Sequence, residues 1–334
     1  MTADFCIKKV HMKAAVIEKF GDTPQYRDFT DPVAGPDDVL IEIKAAVLEN
    51  FDKLTTSGQH YASNHMFPGF PAVVGHSGVG LTQDGSLVAF GGIQPPYGTM
   101  AEKAVIPHAY KMYLKPVPAG VDPLVAAALP ASALTSYFPL AYTAKLEKGE
   151  TVLINGATGV SGKLAIQVAK LLGAGRIIGT GRDAAGLEKV RQLGADAVID
   201  LKQEDERVME AFTNEAGKGY DIVLDYLWGH PTELLLKTLV PKQVGFATHR
   251  TRFVQIGQSA GANIILPAET LRTSGLELMG VGKISPEVIP GAVQQVWDWM
   301  RDHTLIMEVE KVSLQDISEA WERRTTGTRI VIVP

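Results

Sequence analysis

The 334-residue chain is long enough for two domains, and 46 % hydrophobic with 21 % charged residues is ordinary for a soluble globular protein. A net charge of −5 with no basic stripe speaks against a nucleic-acid partner, and the single cysteine, Cys6, excludes an intrachain disulfide and a cysteine metal cluster. No apolar run approaches the ~18 residues that span a membrane. The opening MTADFCIKKVH also lacks the apolar core of a secretory signal, so a cytoplasmic protein without a membrane partner is expected.

Residues 1–11 read as an extension ahead of a domain that starts at Met12. From there to about Val125 the runs KAAVI, DDVLIEIKAAV, AVVG, SLVAF and MAEKAVI are punctuated by Gly, Pro and Asp. They predict short strands with no long helix between them, a barrel-like β domain. From about Ala126 to Leu266 strand and helix alternate. TVLIN precedes GKLAIQVAKLLG, RIIGTG precedes GLEKVRQLG, AVI precedes DERVMEAFTN, DIVLDYL precedes PTELLLKTLV, and RFVQIG closes the series. That rhythm predicts a parallel sheet built through right-handed crossovers. After Pro267, LELMGVG predicts a strand, and SPEVIPGAVQQVWDWMRDH a helix with Ser285 as N-cap and Pro286 at its first position. ISEAWERR predicts a short helix and TRIVIVP a terminal strand.

The segment TVLINGATGVSGKLAIQVAK, residues 151–170, runs from a strand through Gly156, Gly159 and Gly162 into a helix. In a dinucleotide-binding unit one glycine permits the turn, one lets the backbone approach a pyrophosphate, and one lets helix and strand pack closely. The helix N-terminus adds free N–H groups and a partial positive charge. The spacing here is G-x-x-G-x-x-G rather than G-x-G-x-x-G, and a structural turn is the competing explanation. Its place between strand and helix favours a cofactor cradle of Gly156, Ala157, Thr158, Gly159, Val160 and Gly162. An NAD site usually ends its second strand with an acid that holds the ribose. Here Gly181 and Arg182 stand there, a small residue and a fork of donors suited to a 2′-phosphate, so NADP (as NADPH) is the expected cofactor. Asp183, one place on, leaves NAD as the alternative.

Further runs extend the pattern: MKAAVIEKFG, FPGFPAVVGHSGVG, YGTMAEKAVIP, AAALPASALTSYFPL, GYDIVLDYLWG, RFVQIGQSAG, LPAETLRTSGLELMG and GTRIVIVP. In this order they resemble the medium-chain dehydrogenase/reductase superfamily over nearly the whole chain after Met12, and within it the zinc-independent quinone oxidoreductase-like group. The resemblance implies an α/β protein in which a GroES-like β-rich catalytic domain (12–125 and 268–334) carries an inserted Rossmann domain (126–267), a doubly wound parallel sheet. It also implies a homodimer or homotetramer. Thr135 matches a position whose hydroxyl contacts the nicotinamide ribose, and Gly257 and Gln258, after the strand FVQIG, are the expected nicotinamide contacts.

Alcohol dehydrogenases of the superfamily hold a catalytic zinc through Cys, His and Cys. The matching positions here hold Glu49, His76 and Ala131, short of the three protein ligands zinc prefers, so no metal is expected. Reduction of a small quinone or α,β-unsaturated carbonyl is then the expected reaction, since hydride addition needs only hydrogen-bond support at the developing oxygen and a proton donor. Asn50, His60 and Tyr61 are the candidate groups. Glu49 stands where the group commonly has Asn, Leu54 where it commonly has a Tyr, and His60 at a second Tyr position. Two readings stand beside this one: an alcohol dehydrogenase with a non-standard zinc site using Glu49 and His76, and a catalytically silent NADPH-binding or structural homologue. PKQVGFATHRTRFV is longer than the usual turn of the group, and its HRTR reads as a basic surface loop, with a place near the adenosine phosphate as the alternative.

Overall fold

The structure, a computed structural model, describes residues 11–241, 247, 249–282 and 284–334, without the side chains of Met112 and Tyr113. The N-terminal extension up to residue 10 and residues 242–246 and 248 of the long turn lie outside the described residues.

From His11 to Pro116 the chain forms β1 (His11–Ile17), β2 (Gln25–Thr30), β3 (Val39–Leu48), α1 (Asn50–Thr56), α2 (Ser63–Met66), β4 (Ala72–Val73), β5 (Ser77–Leu81), β6 (Leu87–Gly91), β7 (Lys103–Ile106) and β8 (Lys115–Pro116). Then come α3 (Pro123–Phe138), β9 (Thr151–Asn155), α4 (Val160–Leu171), β10 (Arg176–Gly181), α5 (Ala184–Gln192), β11 (Ala197–Asp200) and α6 (Asp205–Ala216). The series continues with β12 (Ile222–Asp225), α7 (Gly229–Leu239), β13 (Thr251–Gln255), α8 (Ala268–Thr273), β14 (Leu276–Gly280) and α9 (Ile289–Arg301). It ends with β15 (Val309–Ser313), α10 (Ile317–Glu322) and β16 (Arg329–Val333).

Two compact units result, one of residues up to Leu129 with Met307–Pro334, the other Pro130–Ile306. In the first, among the described residues, β2-β1-β4 make a three-stranded antiparallel sheet, and β15-β16-β3-β5-β6-β8 with β7 on β3 make a larger, mostly antiparallel one. Alternation of inward residues builds its two cores, one on Met12, Ile41, Val73 and Phe90, the other on Ile17, Met100, Trp321 and Ile332. The strands β2 and β5 are absent from the sequence reading. QYRDFT is almost wholly exposed and polar, and SGVGL is kept from looking like a strand by two glycines. Those glycines let β5 lie close to β3: a Cβ on Gly78 would stand 2.5 Å from the Ala45 carbonyl oxygen.

The second unit holds a six-stranded parallel sheet in the order β11-β10-β9-β12-β13-β14. Strand order therefore reverses between β9 and β12, the doubly wound topology with its switch point at the carboxyl ends of those two strands. Both faces of the sheet are covered, so β9, β10 and β12 are buried at nearly every position rather than alternating. The sequence reading returned to the first domain at 268; the structure does so at Met307. The reason is that β14 pairs in parallel with β13 as the sixth strand, and Gln167 of α4 exchanges hydrogen bonds with the Ile306 backbone in both directions, at 3.0 Å each.

Three local expectations change. The helix read from Ser285 begins as a 3₁₀ turn, Pro286–Val288, with no side-chain bond from Ser285, and the α-helix proper starts at Ile289. Pro123–Thr143 is 21 residues with a mean hydropathy of 1.5, long and apolar enough to cross a membrane, although the sequence reading saw no such run. Pro130, Ser132, Thr135 and Ser136 break its apolar appearance in sequence, and half of its window is buried inside the protein, as in a core helix. HRTR is not uniformly a surface loop either. Arg250 is exposed and pairs with Glu277, but Arg252 is buried, donating to the carbonyls of Ala144 and Lys145 and pairing with Glu150.

Candidate functional site

In the second unit the turn after β9 divides its labour among the three glycines. Gly156 has φ +94°, the left-handed region that favours glycine. Gly162 lies in the first turn of α4, where a Cβ would overlap the Gly156 carbonyl and stand 2.6 Å from Ala157 Cα. A Cβ on Gly159 would meet nothing nearer than 3.8 Å. Gly159 is the N-cap of α4 and brings no side-chain cap, and the next two residues, Val160 and Ser161, open the helix. Ala157 is fully buried, and the first two amides of the turn are already engaged, Gly156 N–H with Thr180 Oγ1 at 2.9 Å and Ala157 N–H with the Thr180 carbonyl at 2.7 Å. The uncapped N-terminus of a 12-residue helix above an open Gly159 is an anion cradle in the physical sense.

At the end of β10 the roles differ from those the sequence suggests. Gly181 is not simply room for a ligand: a Cβ there would overlap the Thr158 methyl, so Thr158 already occupies the space. Asp183 is the N-cap of α5, accepting from the Gly186 N–H at 2.6 Å. Its carboxylate therefore has a structural occupation. Arg182 is exposed, and among the described residues no carboxylate pairs with it. It adds only a minor downward influence on the Asp200 carboxyl, which Gln203 and the Lys202 N–H hold low in the first place.

Thr135 sits exposed on α3 with its hydroxyl bonded back to the Ser132 carbonyl at 2.6 Å. Beside it, the Ser136 hydroxyl donates to the Ser161 carbonyl at 3.0 Å and meets the Tyr226 hydroxyl at 2.9 Å. Burial pushes the Tyr226 phenol up, so it stays protonated. Gly257 packs on the same residue, where a Cβ would lie 2.5 Å from the Tyr226 carbonyl, and the Ser259 hydroxyl donates to that carbonyl at 3.1 Å. Gln258 lies exposed between them. Thr135, Ser161, Tyr226, Gly257 and Gln258 thus gather at the carboxyl edge of the sheet, where open α/β sheets bind their ligands.

The first unit carries a separate charged cluster. Glu49 and Asp52 form the capping box of α1, and the His76 ring lies against both, Nδ1 at 2.8 Å from Asp52 Oδ1 and Nε2 at 3.3 Å from Glu49 Oε2. Arg329 approaches Glu49 at 3.6 Å. Burial alone would push the imidazolium down, but the Asp52 and Glu49 carboxylates outweigh it and hold His76 up to about 10. Ala131 offers no donor at the third position of the Cys-His-Cys pattern, so the set Glu49, His76 and Ala131 falls short of the three protein ligands zinc prefers. Phe51 packs edge-on against both His76 and His60, with ring centroids 4.9 and 5.4 Å away. His60 Nδ1 accepts from the Ala62 N–H at 3.2 Å; in the neutral tautomer this bond selects, the ring proton sits on Nε2. Asn50 is exposed at the start of α1, and Tyr61 is 95 % exposed with its ring on that of His60.

Residues 161–301 match the family described as zinc-binding dehydrogenase. The chain is 26 % identical to the quinone oxidoreductase of Pseudomonas aeruginosa over 92 % of its own length and 95 % of that protein. It is 28 % identical to the trans-enoyl reductase pgmF of Aspergillus terreus over 88 % of its length and 84 % of the other. The quinone oxidoreductase of Thermus thermophilus, solved also as its complex with NADPH, superposes with a TM-score of 0.73 at 25 % identity, covering 97 % of this chain and 100 % of that one. Over nearly its whole length the chain is thus similar to quinone oxidoreductases and to a trans-enoyl reductase.

Sequence reasoning missed Asn155, Thr180 and Asp225, all fully buried at the carboxyl ends of β9, β10 and β12. The signal was present: TVLIN, GTG and IVLD each place a lone polar residue at or next to the end of an apolar strand. A buried polar group must find partners, so three such residues on adjacent strands predict a network.

Proposed function

We propose that the chain is an NADPH-dependent oxidoreductase that reduces a quinone or an α,β-unsaturated carbonyl by hydride transfer without a metal. The observation that carries this reading is the pair at the end of β10: Asp183 is consumed as a helix cap while Arg182 stands exposed without a carboxylate partner among the described residues. That arrangement supports a 2′-phosphate in place of free ribose hydroxyls. The NADPH complex of the Thermus relative, and relatives named quinone oxidoreductase and trans-enoyl reductase, support the same cofactor and substrate class.

When bound, NADPH supplies a hydride to the electron-poor carbon of the substrate, and the displaced electron pair comes to rest on the carbonyl oxygen, which then takes a proton. The cradle residues bind the pyrophosphate through the main-chain N–H groups at Gly159 to Ser161. Thr135, Gly257 and Gln258 orient the nicotinamide end. His60, through its Nε2–H, and the Asn50 amide are the donors assigned to the developing oxygen charge. His76 keeps its proton and its two carboxylates, and so acts by holding the start of α1, where Asn50 sits.

Arg182→Ala is expected to raise the NADPH KM about 10- to 100-fold, the loss of one or two charge-assisted hydrogen bonds, while the NADH value moves less than about twofold. Steady-state kinetics with both cofactors decide it, and equal losses for the two would assign Arg182 to something other than the 2′-phosphate. A purified protein that binds NADPH but oxidises it with none of a panel of quinones and enones would overturn the substrate class.

A further inference from the structure

A carboxylate that no solvent reaches is expensive to keep charged, and a protein that retains one surrounds it with donors. Asp225 at the end of β12 is 0 % exposed. Its Oδ1 accepts from Asn155 Nδ2 at 3.0 Å and from the main-chain N–H groups of Leu227 and Trp228 at 3.0 and 3.2 Å. Its Oδ2 accepts from the Thr232 hydroxyl at 2.7 Å. No cation is among these partners. Burial pushes this carboxyl up, against the four donors that hold it down.

The donors form a directed chain. Gly156 N–H donates to Thr180 Oγ1 at 2.9 Å, and the Thr180 hydroxyl donates to Asn155 Oδ1 at 2.8 Å; the other end of the same amide donates to Asp225. Each bond polarises the next towards the carboxylate, which strengthens the series in a dry interior. Three segments at the carboxyl edge of the sheet end on this one residue. The glycine turn reaches it through Thr180 and Asn155. The turn after β12 reaches it through the N–H groups of Leu227 and Trp228, and there Trp228 holds φ +54°, which a bulky residue adopts only when its surroundings enforce it. The loop after β13 reaches it because the Asp225 carbonyl accepts from both Ile256 N–H and Gly257 N–H, at 2.8 and 3.0 Å. The first two segments also touch: a Cβ on Gly156 would stand 2.9 Å from the Leu227 side chain.

We propose that Asp225, acting through Asn155 and Thr180, is a positioning residue for the dinucleotide, fixing the glycine turn against the loops that follow β12 and β13. It touches no cofactor itself. Its effect is to hold the Gly156 peptide so that the amides from Gly159 onward stay aimed at the pyrophosphate. The inference rests on the dinucleotide reading above.

The test uses the full-length protein and NADPH itself, followed by fluorescence titration and steady-state kinetics. Asp225→Ala strips the acceptor from four buried donors and threatens folding, so Thr180→Val is the deciding variant: it keeps the shape and removes both hydroxyl bonds. The expected result for Thr180→Val is a Kd for NADPH raised about tenfold, with turnover at saturating NADPH changed less than threefold. Thr180→Ser, which restores the hydroxyl, returns the Kd to within threefold of wild type. A residue of purely structural duty would lower the melting temperature and leave the NADPH constant of the folded protein alone. Folded Thr180→Val protein that binds NADPH within twofold of wild type overturns the inference. Wild-type protein that does not bind NADPH overturns the cofactor reading, and the inference with it.

Discussion

Replacing Gly162 with alanine is expected to weaken NADPH binding at least a hundredfold and to destabilise the protein, although alanine is the better helix former. The propensity gain is at most about 1 kcal/mol. Against it stands a Cβ that would overlap the Gly156 carbonyl and lie 2.6 Å from Ala157 Cα, both main-chain atoms that no rotamer change can move aside. Backbone overlap of this kind costs about 1–3 kcal/mol, so the net change is unfavourable, and the strain is released by opening the turn proposed to cradle the cofactor. Gly159→Ala supplies the contrast. Its Cβ enters open space 3.8 Å from the nearest atom, so unfolding stability should stay within about 0.5 kcal/mol of wild type while NADPH binding falls, if the proposed cradle receives a phosphate there. Urea denaturation and NADPH titration on both variants separate packing from cradle. A Gly162→Ala protein that folds and binds as wild type would remove the physical basis for the turn described above.

His76→Gln carries the second large effect. The imidazolium is flanked by Glu49 and Asp52, with side chains 13 % and 3 % exposed, and its removal takes from two nearly buried carboxylates the cation they share, leaving Arg329 beside Glu49 and the capping-box N–H groups. Breaking such a buried pair costs about 3–5 kcal/mol. The sign of the pH dependence follows from linkage. His76 is held up to about 10 in the folded protein against an ordinary value near 6.5, so the folded state binds its proton more tightly than the unfolded chain does. Its stabilising contribution is therefore fully present below about pH 6.5 and is lost as pH rises through about 10. The stability gap between wild type and His76→Gln should be widest in mildly acidic buffer and should narrow steadily towards about pH 10. Urea melts of both proteins across that range measure it. A gap that does not change with pH would mean that His76 is not held as an imidazolium by these carboxylates.

Most of the architecture was legible in the sequence because its signals are local. Strands buried on both faces read as the apolar runs TVLIN, RIIGTG and DIVLDYL, each followed by an amphipathic helix. Where burial and pattern disagree, legibility fails. Strand β2 is polar because it is exposed, and β14 looked like part of the other domain because parallel pairing joins residues that no sequence window brings together.

The candidate site divides the same way. Chain order and composition by themselves determined the parallel sheet, the glycine turn, and an arginine where an acid would select NAD. Each depends on neighbours in sequence, on turn geometry and on residue type. Only the tertiary structure decided what those residues are free to do. Asp183 could have held a ribose, but the first turn of α5 takes its carboxylate. Gly181 could have been open, but Thr158 fills its place. His76 could have been a ligand or a packed histidine, and two carboxylates make it an imidazolium. Asp225 could have been an ordinary strand end, and three loops converge on it. A side chain's chemistry is set by which donors, acceptors and charges surround it, and those come from residues dozens of positions away, brought together only when the sheet closes.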